Sequence, residues 1–197
     1  MSQAEVFRSE CAKGSSMGAT IMGGFGAVWL AMGIGAAGVP VRVAIAIVVP
    51  VFVLIACLGA TLRRRLPKLS GPESPEKKQM MSAFGVVNVV QWVAIFGTIQ
   101  LLTSWHLYGW IVSAIVLIVG AHFLPLARIF GVRQHVVTGA ALMLCAAAAI
   151  VLPASVRDVV ECVSAGVILW ASAAIALYSG FRLAPPSGLA APARSSF

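Results

Sequence analysis

The feature that most constrains this chain is a series of six long apolar segments, each close to the length that crosses a lipid bilayer. A transmembrane helix needs about 20 mainly apolar residues. Hydrophobic residues make up 60% of the chain and charged residues only 10%, whereas a soluble domain has about 25% charged residues. A water-soluble fold of this length would lack the polar residues to cover its surface. The sequence therefore predicts an all-α, polytopic membrane protein.

The six segments are predicted to form six transmembrane helices, arranged as three hairpins within one domain that covers residues 1–182. Residues 63–79 are predicted to be a cytoplasmic linker, because they contain prolines and six basic residues, which oppose a buried helix. Residues 183–197 are rich in Pro, Ala, Gly and Ser and are predicted to form a disordered cytoplasmic tail. The spans are predicted at about residues 16–38, 43–62, 80–103, 108–129, 135–152 and 159–181.

The basic residues predict the orientation, because short cytoplasmic loops are enriched in Lys and Arg. With the N-terminus inside, 12 of the 14 Lys and Arg residues fall on the cytoplasmic side, and only Arg42 and Arg157 fall outside. The sequence therefore predicts a protein of the inner (plasma) membrane with both termini in the cytoplasm. Orientation also accounts for the net charge of +8. No nucleic-acid partner is expected, because basic and aromatic residues are not interleaved as they are in proteins that stack bases.

Polar residues inside the predicted spans are the first candidates for a functional site. Asn88 and Gln91 are three residues apart and share a helix face. His122 falls at a similar depth in the antiparallel neighbour, and Thr20 and Thr138 fall near that level. The favoured interpretation of these residues is a set of interhelical hydrogen bonds that only hold the bundle together. Because ionisable residues in a membrane are functional candidates, the alternative is a pocket in the inner half of the bundle. The sequence does not identify an activity, and it leans toward binding or transport of a small solute through that pocket.

The first predicted helix is rich in small residues, which let another helix approach closely. Packing within the chain is the favoured interpretation. The alternative is docking of a second copy or of a partner membrane subunit, which would make the chain an interaction or scaffold protein rather than a transporter. The predicted packing positions are Gly14, Gly18, Gly23, Ala27 and Ala31.

Three charged residues, Arg157, Asp158 and Glu161, fall at the start of the sixth predicted helix. Acids there favour the helix dipole, and Arg157 is expected to pair with Glu161 at the i,i+4 spacing. No carboxylate is expected deep in any span, which argues against a proton- or sodium-coupled carrier. Neither a metal site nor a cofactor is expected, since the chain lacks a C-x-x-C pair and the H-E-x-x-H and G-x-S-x-G motifs. An intramembrane enzyme is therefore the third-ranked alternative.

Two stretches, NVVQW at Asn88–Trp92 and IVGAHFLPLA at Ile118–Ala127, carry a family resemblance. From the first helix to the fifth, the chain resembles a group of small, uncharacterised six-span bacterial integral membrane proteins, and His-Phe-x-Pro-Leu-Ala is the most specific part. The resemblance implies a bacterial inner membrane and a topology, but no particular chemistry. In size, helix number and small-residue first helix, the chain is also similar to the S-components of energy-coupling-factor vitamin importers.

Overall fold

The computed structural model describes residues 3–66 and 75–184, which form six α-helices and one short 3-10 turn, η1. Each α-helix covers most of one of the apolar segments. A helix suits these segments because it pairs every backbone N–H and C=O group internally, where hydrocarbon offers no partner. The elements are α1 (Gln3–Ala36), α2 (Val41–Arg65), α3 (Pro75–Ser104), η1 (Tyr108–Trp110), α4 (Ile111–Phe130), α5 (Arg133–Ala149) and α6 (Ala154–Leu183).

Five of the helices in the described residues, all except α5, are long and apolar enough to cross a membrane. The remaining helix, α5, has 17 residues, which is at the lower end of the range of about 17–25 for a span. Large apolar side chains face outward, and Val89 and Val93 on α3 are 63% and 66% exposed. The prediction of an all-α membrane protein is confirmed. Six crossings of the bilayer stay a prediction.

Several helices extend beyond the predicted spans. The helix α1 begins at Gln3, α2 continues to Arg65, and α3 begins at Pro75, so α2 and α3 both enter the predicted linker. Arginines in the last turn of α2 are favourable there because they complement the negative end of the helix dipole. Proline suits the first position of α3 because its missing N–H would be unpaired at that position anyway. The centre of the linker, residues 67–74, and nearly all of the predicted tail lie outside the described residues.

The helices α1 and α6 form the most extensive interface, followed by α4 with α5. The helix α2 packs on α1, and α3 packs on α4 and η1. Because α6 also contacts α2, α4 and α5, it is the central helix of the bundle. The helices of each predicted hairpin do touch, but the two largest interfaces join helices from different hairpins. The three-hairpin arrangement is therefore not confirmed.

Two pairs of glycines lie where these largest interfaces are tightest. A Cβ added to Gly26 on α1 would lie 3.0 Å from the carbonyl oxygen of Gly166 on α6, and the reverse distance is 2.9 Å. A Cβ added to Gly139 on α5 would lie 2.6 Å from the carbonyl oxygen of Gly120 on α4. The backbones of these helices are therefore in direct contact, an approach that only residues without a side chain allow.

Candidate functional site

The most unusual polar group in the bundle is the Glu161 carboxylate on α6, which is completely buried. Ser113 on α4 donates a hydrogen bond from Oγ to Oε2 of Glu161 at 2.8 Å. The other carboxylate oxygen, Oε1, is buried without a hydrogen-bond partner. Glu161 is seven residues from the start of α6, or about 10 Å along the helix axis. A buried carboxyl with a free oxygen is equipped to bind a proton or a small cationic group.

Arg157 lies one turn closer to the start of α6 and is also buried, with 8% of its surface exposed. Its guanidinium carbon lies 4.0 Å from the ring centroid of Trp110, at the end of η1. The guanidinium donates hydrogen bonds to the carbonyl oxygens of Gly109 at 3.4 Å and Leu152 at 3.2 Å. Its Nε is buried without a partner. Arg157 therefore ties η1 to the start of α6 and closes this end of the bundle above Glu161.

One sequence-based expectation for this end of the bundle is wrong. Within the described part of the chain, no ion pair joins Arg157 to Glu161, because Arg157 uses its donors on backbone carbonyls and stacks on Trp110. The expectation that no carboxylate is deep in a span concerns depth in the membrane, and it stays a prediction. Glu161 is nevertheless buried within the bundle, where it accepts a hydrogen bond from Ser113 on α4.

Three of the predicted pocket residues lie on α3 and α4. The His122 side chain is half-buried, its imidazole contacts the backbone of Val87 on α3, and its Nδ1 is buried without a partner. Asn88 follows Val87 but donates its side-chain hydrogen bond to the carbonyl oxygen of Phe84 on its own helix, at 2.8 Å. Gln91 is half-buried one turn further along α3. The structure thus brings Asn88 and His122 to the same helix interface.

The two predicted pocket threonines face other interfaces. Thr20 bonds to the backbone oxygen of Ser16 on α1 at 3.0 Å and packs against Gly59 on α2. The hydroxyl of Thr138 on α5 lies 2.7 Å from the hydroxyl of Ser172 on α6. The five predicted residues therefore lie at the α3–α4, α1–α2 and α5–α6 interfaces. The structure does not assemble them into one pocket.

The sequence places His135 near a membrane interface and predicts that it is solvated, but its side chain is half-buried near His122, at the start of α5. The His135 ring is 5.7 Å from that of Phe123 and 6.2 Å from that of Phe130. The His122 ring lies 6.1 Å from that of Phe123, on α4. His135 Nδ1, like that of His122, is buried without a partner. Two imidazoles thus flank Phe123 in an otherwise apolar cluster.

The predicted packing positions on α1 differ in what they meet. A Cβ on Gly23 would lie 2.8 Å from Ile55 of α2. The other four are less enclosed. A Cβ added to Gly14 or Gly18 would meet no neighbouring helix within 4 Å. Ala27 is half-buried and Ala31 is exposed. Gly26 and Gly33, which are not among the five predicted positions, lie in close contact with α6.

No protein-family model, curated protein or solved structure matches this chain. The resemblance to small bacterial membrane proteins therefore stays a prediction. Among the described residues, no three His, Cys, Asp or Glu side chains come together in a way that could hold a metal ion. The fold and the site define a class, a helical membrane protein with a buried carboxyl in its bundle.

Proposed function

We propose that the chain crosses the inner membrane of a bacterium six times, with both termini in the cytoplasm. The arginines in the last turns of α2, α4 and α6 support this, because alternating crossings bring these three ends to one side of the membrane. Arg42 and Arg157 are in the first turns of α2 and α6, at the opposite end. The short helix α5 crosses with little tilt in this topology.

Cysteine labelling tests the topology directly. Single cysteines at Ser74 and His106, in a chain whose four native cysteines are replaced, are treated with a membrane-impermeant maleimide. In intact spheroplasts, only the cysteine at His106 should react, and in inverted vesicles only the one at Ser74. Reaction at Ser74 from outside would contradict the orientation, and reaction of both positions from one side would contradict the number of crossings.

We further propose that the protein binds and transports a small solute together with a proton, and that Glu161 is the proton-binding group. The observation that carries this proposal is the fully buried Glu161 carboxyl, which bonds Ser113 through one oxygen and leaves the other unpartnered. A charge in a low-dielectric interior is costly unless it is paired. Binding and release of a proton would change that charge, and with it the contact between α4 and α6. Such coupling of protonation to helix packing is what a proton-dependent transporter requires.

Proton flux in proteoliposomes tests this function. Protein is reconstituted with a pH-sensitive dye inside, and amino acids, sugars, nucleosides and carboxylic acids are offered outside one at a time. Wild type is expected to move protons with one of these classes, and Glu161→Gln to lose that flux. Asp158→Asn is the matched control, since Asp158 is on the same helix but only half-buried, and it should keep the flux. Equal flux in Glu161→Gln and wild type would contradict the role of Glu161. No solute-dependent flux in wild type would contradict transport.

The second candidate is a membrane interaction protein, and the exposure of α3 favours it. Of the five long apolar helices in the described residues, α3 is the least buried, and Trp92 and Phe96 stack at 5.7 Å on its exposed face. The glycines of α1 that approach α2 and α6 are occupied within the chain, so α3 offers the freer surface. Purification in mild detergent separates the candidates. A stoichiometric second membrane subunit that is lost in Trp92→Ala favours interaction, and its absence favours transport.

A further inference from the structure

A groove of about 830 Å³ opens on the outer surface of the bundle where α4 ends and α5 begins. Its walls are mainly apolar and include Leu124, Pro125 and Val136. Two arginines, Arg128 in the last turn of α4 and Arg133 at the first position of α5, also line it. None of the described residues lining the groove is acidic. The volume falls within the range of about 300–1,000 Å³ that is usual for ligand sites.

The order of these groups along the helix axis indicates the shape of the ligand. Leu124 and Pro125 are in the last two turns of α4, and Arg128 lies closer to its end. An occupant with an apolar part alongside Leu124 and Val136 would therefore place its other end beside the two guanidinium groups. Arginine is well suited to a phosphate, which it can bind through two parallel hydrogen bonds. The first turn of α5 has no side-chain cap, so its backbone N–H groups add positive potential at this end.

We propose that this groove binds an anionic phospholipid, with its phosphate at Arg128 and Arg133 and an acyl chain along Leu124 and Val136. Charge complementarity favours this occupant, because two cationic side chains line the groove and no carboxylate does. Both arginines are exposed and lie at helix ends. In the proposed orientation this end of the bundle faces the cytoplasm, and basic pockets between helices on that side of a membrane are typical sites for anionic lipid headgroups. The site is separate from Glu161, so the inference rests on the proposed orientation but not on transport.

Native mass spectrometry of the full chain tests the proposal, with phosphatidylglycerol and phosphatidylcholine of identical acyl chains as probes. Wild type should prefer phosphatidylglycerol. Because a basic residue near a charged lipid surface contributes about 1 kcal/mol, Arg128→Gln and Arg133→Gln should each weaken this preference about fivefold, and the double variant about 30-fold. Arg182→Gln is the matched control: this arginine is exposed, lies in the last turn of α6 and does not line the groove. It should bind like wild type.

A second variant tests the apolar part of the groove without changing its charge. Val136→Trp places a large ring in the groove and should reduce phosphatidylglycerol binding, whereas inorganic phosphate at the same concentration as the lipid should not displace it. The proposal is overturned if the double arginine variant keeps wild-type selectivity, or if Arg182→Gln loses as much. It is also overturned if Val136→Trp binds normally or if inorganic phosphate displaces an equal concentration of the lipid, because the acyl chain in the groove would then add nothing to the affinity.

Discussion

Replacing Gly139 by alanine should separate α4 from α5 and destabilise the bundle. The new Cβ would lie 2.6 Å from the carbonyl oxygen of Gly120 and 3.0 Å from the Cβ of Phe123. The helices would have to move apart by roughly 1 Å to restore ordinary van der Waals contact. A backbone carbonyl within a helix cannot rotate away as a flexible side chain can. Overpacking of this kind costs about 1–3 kcal/mol.

A matched control comes from Gly97, which is within α3 and has no atom of another helix within 4 Å of its Cβ position. Gly97→Ala should be neutral or stabilising, since alanine is favoured over glycine in a helix interior by about 1 kcal/mol. The same gain offsets part of the cost at Gly139, which leaves a net loss of about 0–2 kcal/mol. For a chain of this size, that loss lowers Tm by up to roughly 8 °C.

Thermal unfolding in detergent, followed by tryptophan fluorescence, measures this difference. The expected order of Tm is Gly139→Ala below wild type and Gly97→Ala equal to wild type or above it. If Gly139→Ala were as stable as Gly97→Ala, the direct backbone contact between α4 and α5 would be refuted, and with it the argument that glycines set the spacing of the largest interfaces.

Two further substitutions test polar contacts between helices. Ser172→Ala removes the partner of Thr138, and it should cost about 0.6 kcal/mol, the average for hydrogen bonds between membrane helices; an unchanged denaturation midpoint would contradict the bond. Arg157→Lys keeps the charge but loses the planar stacking on Trp110, and lysine cannot reproduce the forked donor geometry. The substitution should destabilise the protein by about 1–2 kcal/mol and shift the tryptophan emission spectrum. A variant spectrum identical to that of wild type would show that the stacking is absent.

The helices were predictable because their cause is local. Each apolar segment has to form a helix in hydrocarbon wherever its neighbours lie. The predicted ends of the six helices therefore lie within about a turn and a half of the observed ends, except at the start of α1. That start differs most, since α1 begins at Gln3 rather than near residue 16. Polar residues there do not prevent a helix outside the hydrocarbon, and hydropathy alone gives no information about it.

The arrangement of the helices and the site depended on contacts that are distant in the sequence. Glu161 was assigned to the helix dipole and a local ion pair, because its partner Ser113 is 48 residues away. A signal for its burial was nevertheless present. Glu161 precedes Ala165 by four residues and Leu169 by eight, and both are buried on α6. The position of a carboxylate on the buried face of its helix is therefore a better indicator of a site than its distance from the helix end.

Similarly, the spacing of small residues on α1 suggested a packing face but could not identify it. Several faces of α1 carry glycine or alanine, and only the positions of α2 and α6 distinguish Gly23, Gly26 and Gly33 from the open Gly14 and Gly18. The predicted pocket failed for a related reason. Similar depth in the membrane does not bring side chains together when their helices, such as α1 and α3, are not neighbours.

A double-mutant cycle between Ser113 and Glu161 tests the central claim most directly, namely that the carboxyl lies inside the bundle and bonds across it. Unfolding free energies are measured in detergent for wild type, Ser113→Ala, Glu161→Ala and the double variant. The account predicts a coupling of about 1–2 kcal/mol, because the bond joins a hydroxyl to a buried carboxylate. Effects that add to within about 0.3 kcal/mol would show that the two side chains do not interact, and they would contradict the buried site.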